Sequence, residues 1–143
     1  MNETPIRAAD FTQQQQKVTL LLATGETRAG IASRLRISPG TVARHIEKAR
    51  LHARARTVSA LVCTAYAVLL LEQPQPTGRG EQLPEELLLV IKLLAAGYRS
   101  NEIAGRVGCD VRTVRRRRAE LRERLGAQTD AHLMTKALAA GLL

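Results

Sequence analysis

Apolar positions recur at helical spacing along most of the chain. Val18, Leu21 and Leu22 lead up to Gly25, and Ile31, Ala32 and Leu35 share a face. Val42, Ile46 and Ala49 share another, and Val58, Leu61, Val62, Ala65, Val68 and Leu69 form a denser fourth set. The polar punctuation agrees with this phasing. Thr12 followed by Gln15 has the capping-box spacing, and Gly25 suits a helix C-terminus. Ser38 precedes Pro39 as an N-cap precedes the favoured first helical residue, and Thr57 can open the fourth segment. Four helices are predicted: Thr12 to Gly25, about Thr27 to Leu35, one opening at Ser38 and one opening at Thr57.

The same plan returns 72 residues later. Residues 11–69 set against 83–141 align without a gap and give 17 identities in 59 pairs. The matches fall at punctuation points such as Gly25/Gly97, Ile31-Ala32/Ile103-Ala104 and Thr41-Val42/Thr113-Val114, which marks a duplication rather than chance between two helical segments. The second copy predicts helices from about Pro84 to Ala96, from Ser100 to Val107, from an Asp110 cap, and from Thr129. Between the copies, residues 72–82 contain two Pro, two Gly and no apolar residue, the composition of a linker. The expected organisation is a tail (1–10), a first helical domain (11–71), a linker (72–82) and a second helical domain (83–143).

Composition narrows the classes. Aromatics are 2% of the chain, Trp is absent, and Ala, Leu and Arg dominate, which favours an all-α fold. No apolar run reaches the roughly 20 residues of a membrane span, and the N-terminus has no signal-peptide core, so a cytoplasmic protein is expected. Cys63 and Cys109 have no second Cys or His at ligand spacing, so neither a metal nor a cofactor is expected. Cys63 reads as a core residue, Cys109 as a turn residue, and His45 as structural. No nucleophile-base pair, paired carboxylates or glycine loop appears, so the chain is not expected to be an enzyme.

Charge then points to a partner. The net charge is +9, and 18 of the 22 cations are Arg. Arg pairs bidentately with phosphates and with guanine edges. The cations concentrate at the third helix of each copy: residues 34–56 hold seven against Glu47 alone, and residues 112–124 hold seven against Glu120 and Glu123. A short helix, a tight turn and a longer basic helix is the arrangement that seats one helix in the major groove.

Gly-x-x-x-x-x-Ile-Ala-x-Arg-(Leu/Val), a turn and Thr-Val-x-Arg, present at Gly25 to Arg44 and at Gly97 to Arg116, resembles the LuxR/GerE-type helix-turn-helix of bacterial transcription regulators. The second copy looks the closer match, with Asn101-Glu102-Ile103-Ala104, Leu125-Gly126 and a terminal Ala139-Ala140-Gly141-Leu142-Leu143. The first copy departs at Gly30 and at Ala53-Arg54, the second at Pro84 and Leu87-Leu88-Leu89. The resemblance implies two tandem four-helix domains whose third helices read double-stranded DNA. It places Arg44, Glu47, Arg115, Arg116 and Ala119 at the bases. Thr41, Lys48, Arg112, Thr113, Arg117 and Arg118 are expected at phosphates, with a local side-chain to backbone bond the alternative for the threonines and a position along the domain the alternative for Arg117 or Arg118.

The fourth helix commonly mediates dimerisation in the resembled family. Here Leu61, Ala65, Val68 and Leu69, with an apolar run continuing through Leu71, are expected at a dimer or inter-domain contact together with Leu87 and Leu88. A homodimer and an intramolecular pseudo-dimer both satisfy this pattern. The expected function is a sequence-specific, bacterial or phage DNA-binding transcription regulator. The alternatives are a helix-turn-helix scaffold that binds a regulator or RNA polymerase, and a nucleoid-type binder without sequence preference.

Overall fold

The computed structural model describes residues 4–77 and 82–143, and among these all regular structure is helical. A 3-10 turn at Ala8–Asp10 leads into α1 (Gln13–Ala23), α2 (Arg28–Leu35), α3 (Pro39–Ala53) and α4 (Val58–Ala67). Then come α5 (Glu85–Ala95), α6 (Ser100–Val107), α7 (Val111–Leu125) and α8 (Asp130–Ala139). Each helix of the second set lies 72 residues after its counterpart and has the same length: 11, 8, 15 and 10 residues.

The helices begin where the side chains can satisfy their first free N–H groups. Thr12 and Gln15 close a reciprocal capping box, the Gln15 N–H donating to Thr12 Oγ1 at 3.1 Å and the Thr12 N–H to Gln15 Oε1 at 3.0 Å. Thr27, Ser38, Thr57 and Thr129 accept from the N–H three residues on at 3.0 to 3.1 Å, and Asp110 does so at 2.7 Å. Pro84 offers no such oxygen, and α5 starts uncapped with Glu85 and Glu86 in its first turn.

The C-terminal ends repeat as well. Four pairs of positions 72 residues apart adopt the left-handed conformation: Gly25 and Gly97, Arg36 and Gly108, Arg54 and Gly126, Leu69 and Gly141. Repeat two has glycine at all four, whereas repeat one places Arg, Arg and Leu at three of them.

The left-handed turn at Leu69 corrects the expected course of the fourth helix. Rather than running on through Leu71, α4 stops at Ala67, and the Leu70 N–H closes onto the Ala65 carbonyl at 2.9 Å. Leu70 and Leu71 fold back into the core, and Gln16 Nε2 donates to the Leu70 carbonyl at 2.9 Å. Leu69 is turned outward, 71% exposed, and lies outside the core that the two repeats share. Leu87, by contrast, is a core residue on the side of α5 near α7, and Leu88 is half-buried beside it; the exposed member of that trio is Leu89.

Each repeat packs its third helix against the first, second and fourth, but the two repeats also share a continuous hydrophobic core. Helix α4 packs on α8, α1 on α8, and α4 on α5. Leu61 and Ala65 of α4 are fully buried, as are their counterparts Leu133 and Ala137 of α8, while Val68 is half-buried. An apolar surface on more than one side of α4 is thereby covered within one chain.

Candidate nucleic-acid interface

The turn between the second and third helices has the same construction in both repeats. After α2, Arg36 takes the left-handed conformation (φ 55°) and the Ile37 N–H donates to the Ala32 carbonyl at 3.1 Å. After α6, Gly108 (φ 75°) and the Cys109 N–H to Ala104 carbonyl bond, also 3.1 Å, repeat it. A buried Ile-Ala pair anchors each short helix, Ile31-Ala32 and Ile103-Ala104. These closures set the third helix across the end of the second, the helix-turn-helix geometry.

On α3, Val42, Ile46, Ala49 and Ala53 face the core and leave Ala43, Arg44, Glu47, Lys48 and Leu51 on the outer face. Arg44 and Lys48 are exposed and make no hydrogen bond or ion pair among the described residues. Glu47 is exposed but committed to Arg50, at 2.8 Å. Arg50 also donates to the carbonyls of Ala55 (3.3 Å) and Arg56 (2.7 Å), clamping the loop that leads to α4.

On α7 the core face is Val114 and Leu121, with Arg112, Arg115, Arg116 and Ala119 exposed. The guanidiniums of Arg112, Arg115 and Arg116 also make no hydrogen bond or ion pair among the described residues. Arg117 leans over the turn toward Cys109 Sγ (3.9 Å) and is half-buried.

Arg118 lies along the domain. It occupies the position of the buried Ile46 in the repeat and bonds to Ser100 of α6 and Asp130 of α8. Asp130 also accepts from Arg122 at 2.6 Å. Burial and the neighbouring Arg122 and Arg115 disfavour the Arg118 charge, and the Asp130 carboxylate supplies the compensating partner. Of the four cations expected at phosphates, Arg118 is the one paired with a carboxylate among the described residues.

The threonines at the start of the third helices bond to the side chains of their own N-cap residues. The Thr41 hydroxyl lies 2.9 Å from Ser38 Oγ. The Thr113 hydroxyl and N–H both bond Asp110, which holds that carboxyl below its ordinary range. Their N–H groups donate to the capping oxygens of Ser38 and Asp110.

Two carboxylates that sequence reasoning passed over organise this surface. Asp130 gathers Arg118 and Arg122. Glu102, read only as a family acid before Ile103-Ala104, accepts the Arg99 N–H (3.0 Å) and reaches across to Arg56 of repeat one (2.9 Å). Those contacts lower its pKa, the Arg99 backbone bond first and the Arg56 bond next. The Asp130 cluster did leave a trace in the sequence: an Arg aligned with a core Ile requires a partner nearby.

His45 is half-buried, and Cys63 is packed so that burial pushes its thiol up to about 11, the behaviour of a small core residue. Among the described residues no group of three His, Cys, Asp or Glu could hold a metal ion, and no helix is long and apolar enough to cross a membrane.

Residues 9–64 match the family described as bacterial regulatory proteins, luxR family. The match falls on repeat one, not on repeat two, which the motif comparison ranked closer. No curated protein and no solved structure matches the chain. The turn geometry and the basic third helix agree with this match: residues 9–64 are similar to a LuxR-type helix-turn-helix domain.

Proposed function

We propose that the chain is a sequence-specific regulator of transcription in which both repeats read double-stranded DNA, each laying its third helix in the major groove. The observation that carries this reading is the state of the third helices. At equivalent positions, Arg44 and Arg116 are exposed and have no ion-pair partner among the described residues, and Arg115 stands beside the latter. An arginine left without a carboxylate on an exposed helix face retains its five donors for another acceptor.

In this reading Arg44, Arg115 and Arg116 address guanine edges, each contributing about 1–3 kcal/mol of discrimination. Ala119 lies close against a base, and Glu47 fixes Arg50 while fronting the groove. Lys48, Arg112 and Arg117 take phosphates. Thr41 and Thr113 add backbone N–H groups at the helix N-terminus after their caps adjust. RNA polymerase is a downstream partner of such a regulator rather than its first ligand. On α3 and α7, Arg44, Lys48, Arg112, Arg115 and Arg116 keep no acidic partner among the described residues, which supports DNA as the first ligand.

Fluorescence anisotropy with labelled duplex over a salt series tests the proposal. Affinity is expected to fall linearly on a log-log plot against salt, and Arg112→Ala to reduce that slope by about one. Arg115→Ala combined with Arg116→Ala is expected to abolish the preference for a selected site over random duplex. Unchanged affinity and preference in that double variant would remove repeat two from the reading.

A further inference from the structure

A tandem repeat can arrange its copies by translation, so that both face the same way along the DNA, or by a two-fold axis. The contacts between the repeats distinguish these. Gly25 at the end of α1 lies against His132 of α8; its counterpart Gly97 at the end of α5 lies against Ala60 of α4, the counterpart of His132. A residue pair (i, j) between the copies is therefore matched by the exchanged pair (j, i). The element contacts obey the same exchange: α1 with α8, α5 with α4, and α4 with α8. Exchange is the signature of an isologous, two-fold interface, whereas translated copies contact each other through different surfaces.

The axis passes between α4 and α8, which pack on each other and bury counterpart positions alike. Leu61 and Leu133, Val62 and Met134, and Ala65 and Ala137 are all fully buried. The apolar face with which a four-helix domain of this kind could recruit a second chain is consumed inside the molecule. What the axis relates is unequal, however. Ala43, Arg44 and Glu47 on α3 correspond to Arg115, Arg116 and Ala119 on α7.

Building on the DNA-reading role proposed above, we infer that one chain is a complete reader of an inverted pair of unlike half-sites. A duplex has two-fold axes perpendicular to its length, so two readers related by such an axis meet the two strands in opposite senses. The half-site facing α7 presents guanines to Arg115 and Arg116, and the half-site facing α3 presents one to Arg44 and differs beyond it. The DNA class is a pseudo-palindrome with a guanine-richer arm, taken by a single protein molecule.

Selection from a pool of duplexes with a randomised core, using the full chain, tests this together with native mass spectrometry of the selected complex. The expected result is an inverted pair of dissimilar half-sites bound by one 15.6 kDa chain per duplex. Arg116→Ala is expected to relax the sequence preference in one arm by tenfold or more and Arg44→Ala in the other, with the opposite arm unchanged. A direct repeat, a lone half-site, two identical arms, or two chains per duplex would each overturn the inference while leaving DNA reading intact. A pool from which no sequence is enriched would overturn the DNA-reading proposal itself, and this inference with it.

Discussion

At Leu69 the backbone adds what the side chain does not announce. As an apolar residue at the end of an apolar run it is expected at a dimer or inter-domain contact; with φ at 62° it is also the left-handed residue that stops α4, and its side chain is exposed. The three non-glycine caps of repeat one carry the steric cost that Gly108, Gly126 and Gly141 avoid. Leu69→Gly removes that cost without losing buried surface. It is expected to stabilise the protein by about 0.5–1 kcal/mol, after the larger entropy loss of glycine, read as a rise of roughly 2–4 °C in thermal midpoint. Sequence could not reveal this turn because the usual signal, a glycine, is absent from position 69 and present only at its counterpart.

The helices themselves were legible. Thr12, Ser38, Thr57, Asp110 and Thr129 each cap the helix they were expected to open, since capping is local chemistry that a sequence displays directly. The faces of α7 were only half legible. In the run Arg115 to Arg118 every residue is the same, and only the fold separates the exposed Arg115 and Arg116 from Arg118, which is held by Ser100 and Asp130. Repeat one fills the same space with Ile46 and Val58. Arg118→Ala is expected to cost about 1–3 kcal/mol by urea unfolding, because Asp130 loses one of its two guanidinium partners. Arg118→Ile together with Asp130→Val rebuilds the apolar arrangement of repeat one. That double variant is expected to recover at least 1 kcal/mol relative to the sum of the single changes, a coupling a double-mutant cycle measures directly. Repeat one, on which the family match falls, has Thr12 and Ile46 where repeat two has Pro84 and Arg118.

At the scale of the whole molecule the question left open by the sequence, whether the apolar fourth helices are covered within the chain or by another chain, is answered by side chains that cross between the repeats. Thr135 of α8 donates to the Ala23 carbonyl at the end of α1 and shares a hydrogen bond with the Tyr66 hydroxyl, both at 2.9 Å. His132 stands at the same junction against Gly25, its Nδ1 accepting the Gln128 N–H at 3.2 Å. Burial first, and then Lys136, lower the His132 pKa from its ordinary 6.5. The unfolded chain thus binds a proton more readily than the folded one, so stability is intact above pH 6.5 and is lost as pH falls through that value toward the lowered one. Thermal melts from pH 7.5 downward are expected to show this loss, and His132→Gln to flatten its onset below pH 6.5. The linker enters this junction too, its Thr77 N–H donating to the Ala139 carbonyl at 3.1 Å. Two halves tethered by so short a segment meet at an effective concentration on the millimolar scale, far above that of any regulator in a cell. Dilution cannot separate them. Occupancy of a DNA site that needs both halves therefore rises with the first power of the amount of protein, where a regulator assembled from separate subunits responds, when scarce, to its square.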